Sequence, residues 1–197
     1  SMQGKKWDEV LINTIALGYV SLNMNNIDLT ISIRTTGIDP NLSSQTEHIP
    51  LLILAFNSKK HILKDLKKLG NFIAKGLTPE GMCLNVLNNY IPKSSYYLDS
   101  YLINMSDGFP TFESSAFRYK GKSAILDTTK AVNNIKRKGV KILSYFIESP
   151  SSYTKSAELV KDFRTMYGKS ATFIDPKNVN QVTKTLNNLF LERDLIS

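Results

Sequence analysis

The sequence is short of several things. Its 197 residues include one cysteine (Cys83), two histidines (His48 and His61) and one tryptophan (Trp7). A single cysteine excludes an internal disulfide and any thiolate zinc cluster built by this chain alone, and it fits a reducing, cytoplasmic compartment. The two histidines have no Cys or Glu at ligand spacing, which speaks against a zinc or catalytic role. Long apolar runs are missing too. The run Leu51 to Phe56 falls far short of the roughly 20 residues of a membrane span, and no basic-then-apolar leader opens the sequence, so the chain reads as soluble with no membrane partner. No Gly-x-Gly-x-x-Gly turn and no Gly-x-x-x-x-Gly-Lys-Ser/Thr loop occurs, which disfavours a dinucleotide oxidoreductase and a Mg²⁺-dependent phosphotransferase or nucleotide-binding enzyme. Acidic residues are outnumbered 17 to 25, giving a net charge of +8. That surplus permits nucleic acid or acidic proteins as partners. The lysines are spread over several predicted helices, however, and not interleaved with aromatics on one strand, so nucleic-acid binding is the weaker reading.

What is present fills a core: 42% of the residues are hydrophobic and 10% aromatic, enough for one domain over 1–197. Apolar residues at helical spacing (Trp7, Val10, Leu11, Thr14, Ile15, Gly18, Leu22) predict a first helix to about Met24. Strict alternation over Ile27–Ile33 predicts a strand with one wet face, and the Gly, Pro and Ser/Gln/Thr content of 36–50 predicts a loop. Leu51–Phe56 reads as a strand buried on both faces, leading through Asn57-Ser58 into a helix over 59–74. Thr78-Pro79-Glu80-Gly81 opens a further helix ending near Tyr90. Then come a strand at Tyr101–Met105, an irregular stretch over 111–122, a helix over 123–138 stopped by Gly139, a strand over 140–147, a helix over 152–167, a strand at 171–174 and a closing helix over 179–191. The alternation implies an α/β fold: a three-layer α/β/α arrangement with a mostly parallel, Rossmann-like open sheet and right-handed crossovers.

In such sheets ligands sit beyond the C-terminal ends of the strands. Two polar clusters are predicted there, Thr78 in its Pro-Glu-Gly context and Ser106-Asp107-Gly108. A hydroxyl and a carboxylate converging on one spot are hard oxygen ligands suited to Mg²⁺; an N-cap and a turn former account for the same residues about equally well. Cys83 reads as a small buried residue, and Lys136-Arg137-Lys138 as a complement to a helix dipole. Tyr96, Tyr97, Phe112, Phe117 and Tyr119 are predicted to flank the rim, as partner contacts or as packing under a loop.

The run Met2-Gln3-Gly4-Lys5-Lys6-Trp7, the Thr78-Pro79-Glu80-Gly81 step and the Ser106-Asp107-Gly108-Phe109-Pro110 step, in that order, resemble a von Willebrand factor type A domain over essentially the whole chain. The resemblance is to the intracellular branch related to cobaltochelatase subunits and viral homologues. It implies a metal-ion-dependent adhesion site for Mg²⁺ or Mn²⁺, in which Thr78 matches the family's threonine, Asp107 its later aspartate and Ser1 the last serine of an Asp-x-Ser-x-Ser motif. It implies a protein-interaction module, not an enzyme, that takes an acidic group of a partner through the ion, and an AAA-class ATPase as partner or co-worker. The motif's aspartate, its first serine and the central first strand of the sheet would precede Ser1, so the chain reads as truncated there. Without a central strand, two edges lose their partners and an apolar slot opens, to be filled by upstream chain, a partner or a swapped copy, and metal binding weakens for want of a carboxylate.

Overall fold

A computed structural model describes residues 4–38, 48–108, 110–114, 117–148, 157–182 and 184–185. The fold is mixed α/β. The first helix, α1 (Lys5–Asn23), follows Gly4, whose φ of 59° is a left-handed value that glycine tolerates. Gly18 is required for a different reason: a Cβ there would meet Leu66 Cδ1 at 2.3 Å, so the helix lies directly on the turn that carries Leu66.

Strands β1 (Thr30–Ile38) and β2 (His48–Asn57) form an antiparallel hairpin in which Ile33 pairs with Ile53 and Ile38 with His48. The two ends of the expected loop over 36–50, at 36–38 and 48–50, are strand, and its middle lies outside the described residues. The reading of Leu51–Phe56 as a strand buried on both faces is corrected: among the described residues β2 pairs with β1 alone, and Leu54 is 45% exposed. The long helix expected over 59–74 is corrected as well. Only Leu63–Lys67 (α2) is α-helical, a 3₁₀ turn at Lys68–Asn71 follows, and Ile62 and Ile73 face solvent while Leu66 and Leu69 are buried. Gly70 and Asn71, poor helix formers, sit where the helix fails.

From there on the chain follows the expected order. Helix α3 (Glu80–Leu87) leads to β3 (Tyr101–Ser106). A two-residue-per-strand hairpin, β4 (Phe112–Glu113) with β5 (Arg118–Tyr119), replaces the irregular stretch. Helix α4 (Gly121–Lys136), β6 (Lys141–Ile147), α5 (Ala157–Tyr167) and β7 (Ala171–Ile174) complete the described elements apart from 3₁₀ turns at Gly168–Ser170 and Pro176–Asn178 and helical backbone at 180–182 and 184–185. Beyond that, the expected closing helix lies outside the described residues.

Strands β3, β6 and β7 form a parallel sheet in that order, with Asn104 opposite Ser144 and Phe146 opposite Phe173. Side chains alternate across it. Leu102, Ile142 and Phe146 pack with Leu84 of α3, Ala131, Val132 and Ile135 of α4, and Phe163, Met166 and Tyr167 of α5. Tyr145, Ile147 and Ile174 pack on the opposite face with Val10 of α1, Val179 and Val182. The hairpin has a smaller cluster, Ile31 and Phe56 against Leu66 and Leu69. Among the described residues no ladder joins β1 to β3: in place of the single mostly parallel sheet expected, there are one three-stranded parallel sheet and two two-stranded antiparallel ones. Among the described residues no helix is long and apolar enough to cross a membrane.

Candidate functional site

The C-terminal ends of the parallel strands form the rim where the polar candidates were expected. Thr78 lies just ahead of α3, and its carbonyl accepts a hydrogen bond from Thr111 N at 2.9 Å. The loop that follows β3 thus folds back onto the Thr78 step. Asp107 directly follows β3, and both Thr78 and Asp107 border the same cavity. Lys6 of α1 completes the rim, with Nζ 3.9 Å from Asp107 Oδ2 and 2.6 Å from Glu148 Oε2 beyond the end of β6. Ser1 lies outside the described residues.

Beneath this rim is a buried polar network that the sequence reading missed. Glu80, the residue two beyond Thr78, is fully buried. Its Oε1 lies 3.0 Å from Asn104 Nδ2, 3.6 Å from Arg34 Nη2, and accepts a hydrogen bond from Tyr167 OH. Asn104 Nδ2 is also 2.8 Å from Ser144 Oγ and 2.9 Å from Tyr167 OH, so its two hydrogens serve two of three acceptors at a time. Arg34 Nη1 donates to Asn104 Oδ1 at 2.6 Å. Burial, the largest single influence, opposes the charge on Arg34, but Glu80, Tyr167 and Cys83 together outweigh it and hold the guanidinium pKa above its ordinary value. The Tyr167 hydroxyl is pushed well up, first by burial and then by Glu80.

These groups tie the hairpin (Arg34), the Thr78 step (Glu80), the sheet (Asn104, Ser144) and α5 (Tyr167) into one body. A signal for them existed in the alternation of β3, where Asn104 and Ser106 occupy the inward positions next to Leu102. Polar residues at core positions must find partners.

A second brace holds the same step. Gly81 N donates to Tyr119 OH at 3.1 Å, and that hydroxyl lies 3.0 Å from Asp127 Oδ2 and 3.2 Å from Ala124 O. A Cβ on Gly81 would stand 2.4 Å from Tyr119 OH and 2.7 Å from Thr128 N, so only glycine permits this approach.

The other candidates resolve into structure. His61 Nδ1 accepts from Asn57 N at 2.9 Å, and its ring packs on Phe56. Cys83 is buried, and burial raises its thiol pKa, which suits a packed residue better than a nucleophile. Lys136 donates to Tyr167 O at 3.0 Å and Lys138 to Ile91 O at 3.3 Å, so these lysines tie α4 to α5 and to the end of α3 in addition to facing their own helix terminus. Phe112 and Tyr119 are core residues. Tyr96 and Tyr97 are 90% and 89% exposed but precede β3, at the end of the sheet opposite Asp107; they do not flank the rim.

The rim's donors are tested against a divalent ion by their chemistry. Mg²⁺ is held through one or two carboxylates with water filling much of its shell. The Asp107 carboxylate with the hydroxyls of Thr78 and Ser106 fits that description in kind. Lys6 already balances one of the two carboxylates, Asp107 and Glu148, that it approaches. Among the described residues no group of three or more His, Cys, Asp or Glu stands together, so soft-metal and multi-carboxylate sites have no support. No protein-family model matches the sequence, and neither a curated protein nor a solved structure does.

Proposed function

We propose that the chain is a von Willebrand factor A-like protein-interaction module that takes an acidic group of a partner protein through Mg²⁺ or Mn²⁺. In this reading the Thr78 hydroxyl and the Asp107 carboxylate hold the ion, and Ser1 with a carboxylate from an Asp-x-Ser-x-Ser motif completes the set. The fold would be the three-layer, Rossmann-like one, working inside the cell beside an AAA-class ATPase. One observation carries the reading: the Thr78 step and the loop after β3 are bonded to each other at the C-terminal rim of a parallel sheet, with an oxygen-only donor set. The brace of Glu80 and Gly81 supports it, because a ligand loop must be held rigidly to bind a small ion.

Calorimetric titration with MgCl₂ and electron paramagnetic resonance with MnCl₂ test it. Asp107→Ala is expected to weaken ion binding at least tenfold and Thr78→Ala several-fold, and a glutamate-containing partner peptide should bind only when the ion is present. Equal ion affinity in the parent and both variants would sink the proposal.

A further inference from the structure

The parallel pairing of β3, β6 and β7 sends the three segments that enter those strands to one end of the sheet, the end opposite Asp107. From the last turn of the preceding helix to the first residue of each strand, they cover 84–101, 133–141 and 164–171. Together they hold seven basic residues and one acidic one, so six of the chain's eight surplus positive charges gather there. Lys93 comes from the first segment, the run Lys136-Arg137-Lys138 and Lys141 from the second, and Arg164 and Lys169 from the third. The lone carboxylate, Asp99, is matched by Lys141 Nζ at 3.2 Å. Sequence order spreads these cations over several elements; the topology collects them. Within the first segment a turn lifts two rings into water. Ser95 N donates to Leu98 O at 2.8 Å and Leu98 N to Ser95 O at 3.4 Å, so Tyr96 and Tyr97 occupy its tip, 90% and 89% exposed. The turn is moored beside the basic run: Ser94 N donates to Lys138 O at 3.0 Å, and Ser100 N to Ser94 Oγ at 3.0 Å. Rings held this far out contribute nothing to the chain's own core, and large exposed apolar groups set among charges mark a contact surface.

We infer that this end of the sheet is a binding surface for single-stranded nucleic acid, with phosphates drawn to the basic segments and bases stacked on Tyr96 and Tyr97. Cations and exposed rings side by side are the two parts such a surface needs: the cations neutralise phosphates, and every base offers a π-face to a ring. The two tyrosine rings stand edge to face, 5.1 Å apart with their planes at 87°, so bases that meet them lie at different angles. An unpaired strand can splay its bases in this way, whereas a duplex keeps them stacked on one another. An acidic protein segment answers the charge and leaves the rings without flat partners. An anionic bilayer is met by an amphipathic helix lying in its plane, and here the cations come from three separate connections. Stacking and charge read no base edges, so the surface tolerates any sequence. The inference uses neither the Thr78–Asp107 rim nor an ion.

The test uses the whole chain in EDTA, which separates it from the ion site. A fluorescein-labelled oligodeoxythymidine of about 15 nucleotides is titrated by anisotropy, beside a duplex of the same length, poly-glutamate as a competitor and phosphatidylserine vesicles. Expected are saturable binding of the single strand, a loss of roughly tenfold or more between ~50 and ~200 mM NaCl, and roughly tenfold weaker binding of the duplex. Tyr96→Ala with Tyr97→Ala should cost roughly tenfold in affinity and leave the thermal melt unchanged, since both side chains lie in water. Tyr96→Phe with Tyr97→Phe keeps the ring faces and should bind within about twofold of the parent. Lys93→Gln should weaken binding and flatten its salt dependence. Equal affinity of the alanine pair and the parent would overturn the inference. So would equal binding of duplex and single strand, or displacement by poly-glutamate as effective as by unlabelled oligonucleotide of equal charge, because either result reduces the effect to net charge. Tighter binding to the vesicles than to the oligonucleotide would overturn it too, and assign the surface to a membrane.

Discussion

The two halves of the molecule obey the same physics and reach different ends. In the C-terminal half, β6 is paired on both sides, and a cluster of twelve buried residues from α3, α4, α5, β3 and β6 closes over one face of the sheet. In the N-terminal half, the β1–β2 hairpin shares a cluster of four buried residues with α2 and the turn after it, and among the described residues each of its strands has a single partner. Burial per residue follows the number of neighbours a strand has, so the half with a doubly paired strand owns the larger share of the hydrophobic stabilisation. The lesson is that a sheet's pairing, more than its composition, decides where a protein is firm.

The strongest way to break this comparison is to cut the link between the halves. Glu80→Gln leaves Arg34 without its buried carboxylate, and a loss of about 3–5 kcal/mol in urea unfolding is expected, because removing one partner strands the other charge. A change below about 1 kcal/mol would mean that the halves do not lean on each other. Within the closed half, Phe163→Ala should also cost about 3–5 kcal/mol, since its ring is buried against Phe146 and Tyr167. In the hairpin half, Ile33→Ala should cost about 1 kcal/mol or less, as a partly exposed side chain loses little burial. Similar losses for Phe163→Ala and Ile33→Ala would erase the contrast. Gly81→Ala is expected to cost about 1–3 kcal/mol through overpacking against Tyr119 and Thr128; under the proposed function, it should also weaken Mg²⁺ binding as the Thr78 step shifts. The smallest effect is a pH response. Tyr167 and Cys83 carry raised pKa values in the folded chain relative to ordinary values of 10.0 and 9.0, chiefly from burial. A raised folded pKa gives stability that is complete below the unfolded value and is lost as pH rises toward the folded one. Thermal stability should therefore fall from about pH 9 upward, and Tyr167→Phe should flatten the fall above pH 10; an unchanged slope in that variant would assign the response elsewhere.

Much of the architecture is legible in the residues. Apolar periodicity marks α1, α4 and α5, and short apolar runs ahead of polar turns mark β3 and β6 with ends close to those observed. The errors concentrate in the hairpin half. Leu51–Phe56 is apolar enough for a doubly buried strand, yet it pairs with β1 alone, because an apolar run reports attraction to a core and not which neighbour supplies the core. The helix expected over 59–74 gives way after Lys67 to a 3₁₀ turn that contains Gly70 and Asn71, despite its periodic leucines. At the rim, Thr78 and Asp107 were visible as turn and cap residues near strand ends. Glu80 was not, since a glutamate in the first turn of a helix ordinarily faces water.

The sequence by itself determined the α/β alternation, the helix stops at Gly139 and Gly168, and the candidates Thr78 and Asp107, because periodicity and turn chemistry act over a few residues. Only the tertiary structure decided that, among the described residues, the β1–β2 hairpin pairs apart from the parallel sheet, that Lys6 reaches both Asp107 and Glu148, and that Glu80 is buried among Arg34, Asn104 and Tyr167. Those facts join residues 24 to 142 positions apart, and local preferences carry no information about which distant groups a chain brings together when it closes its core.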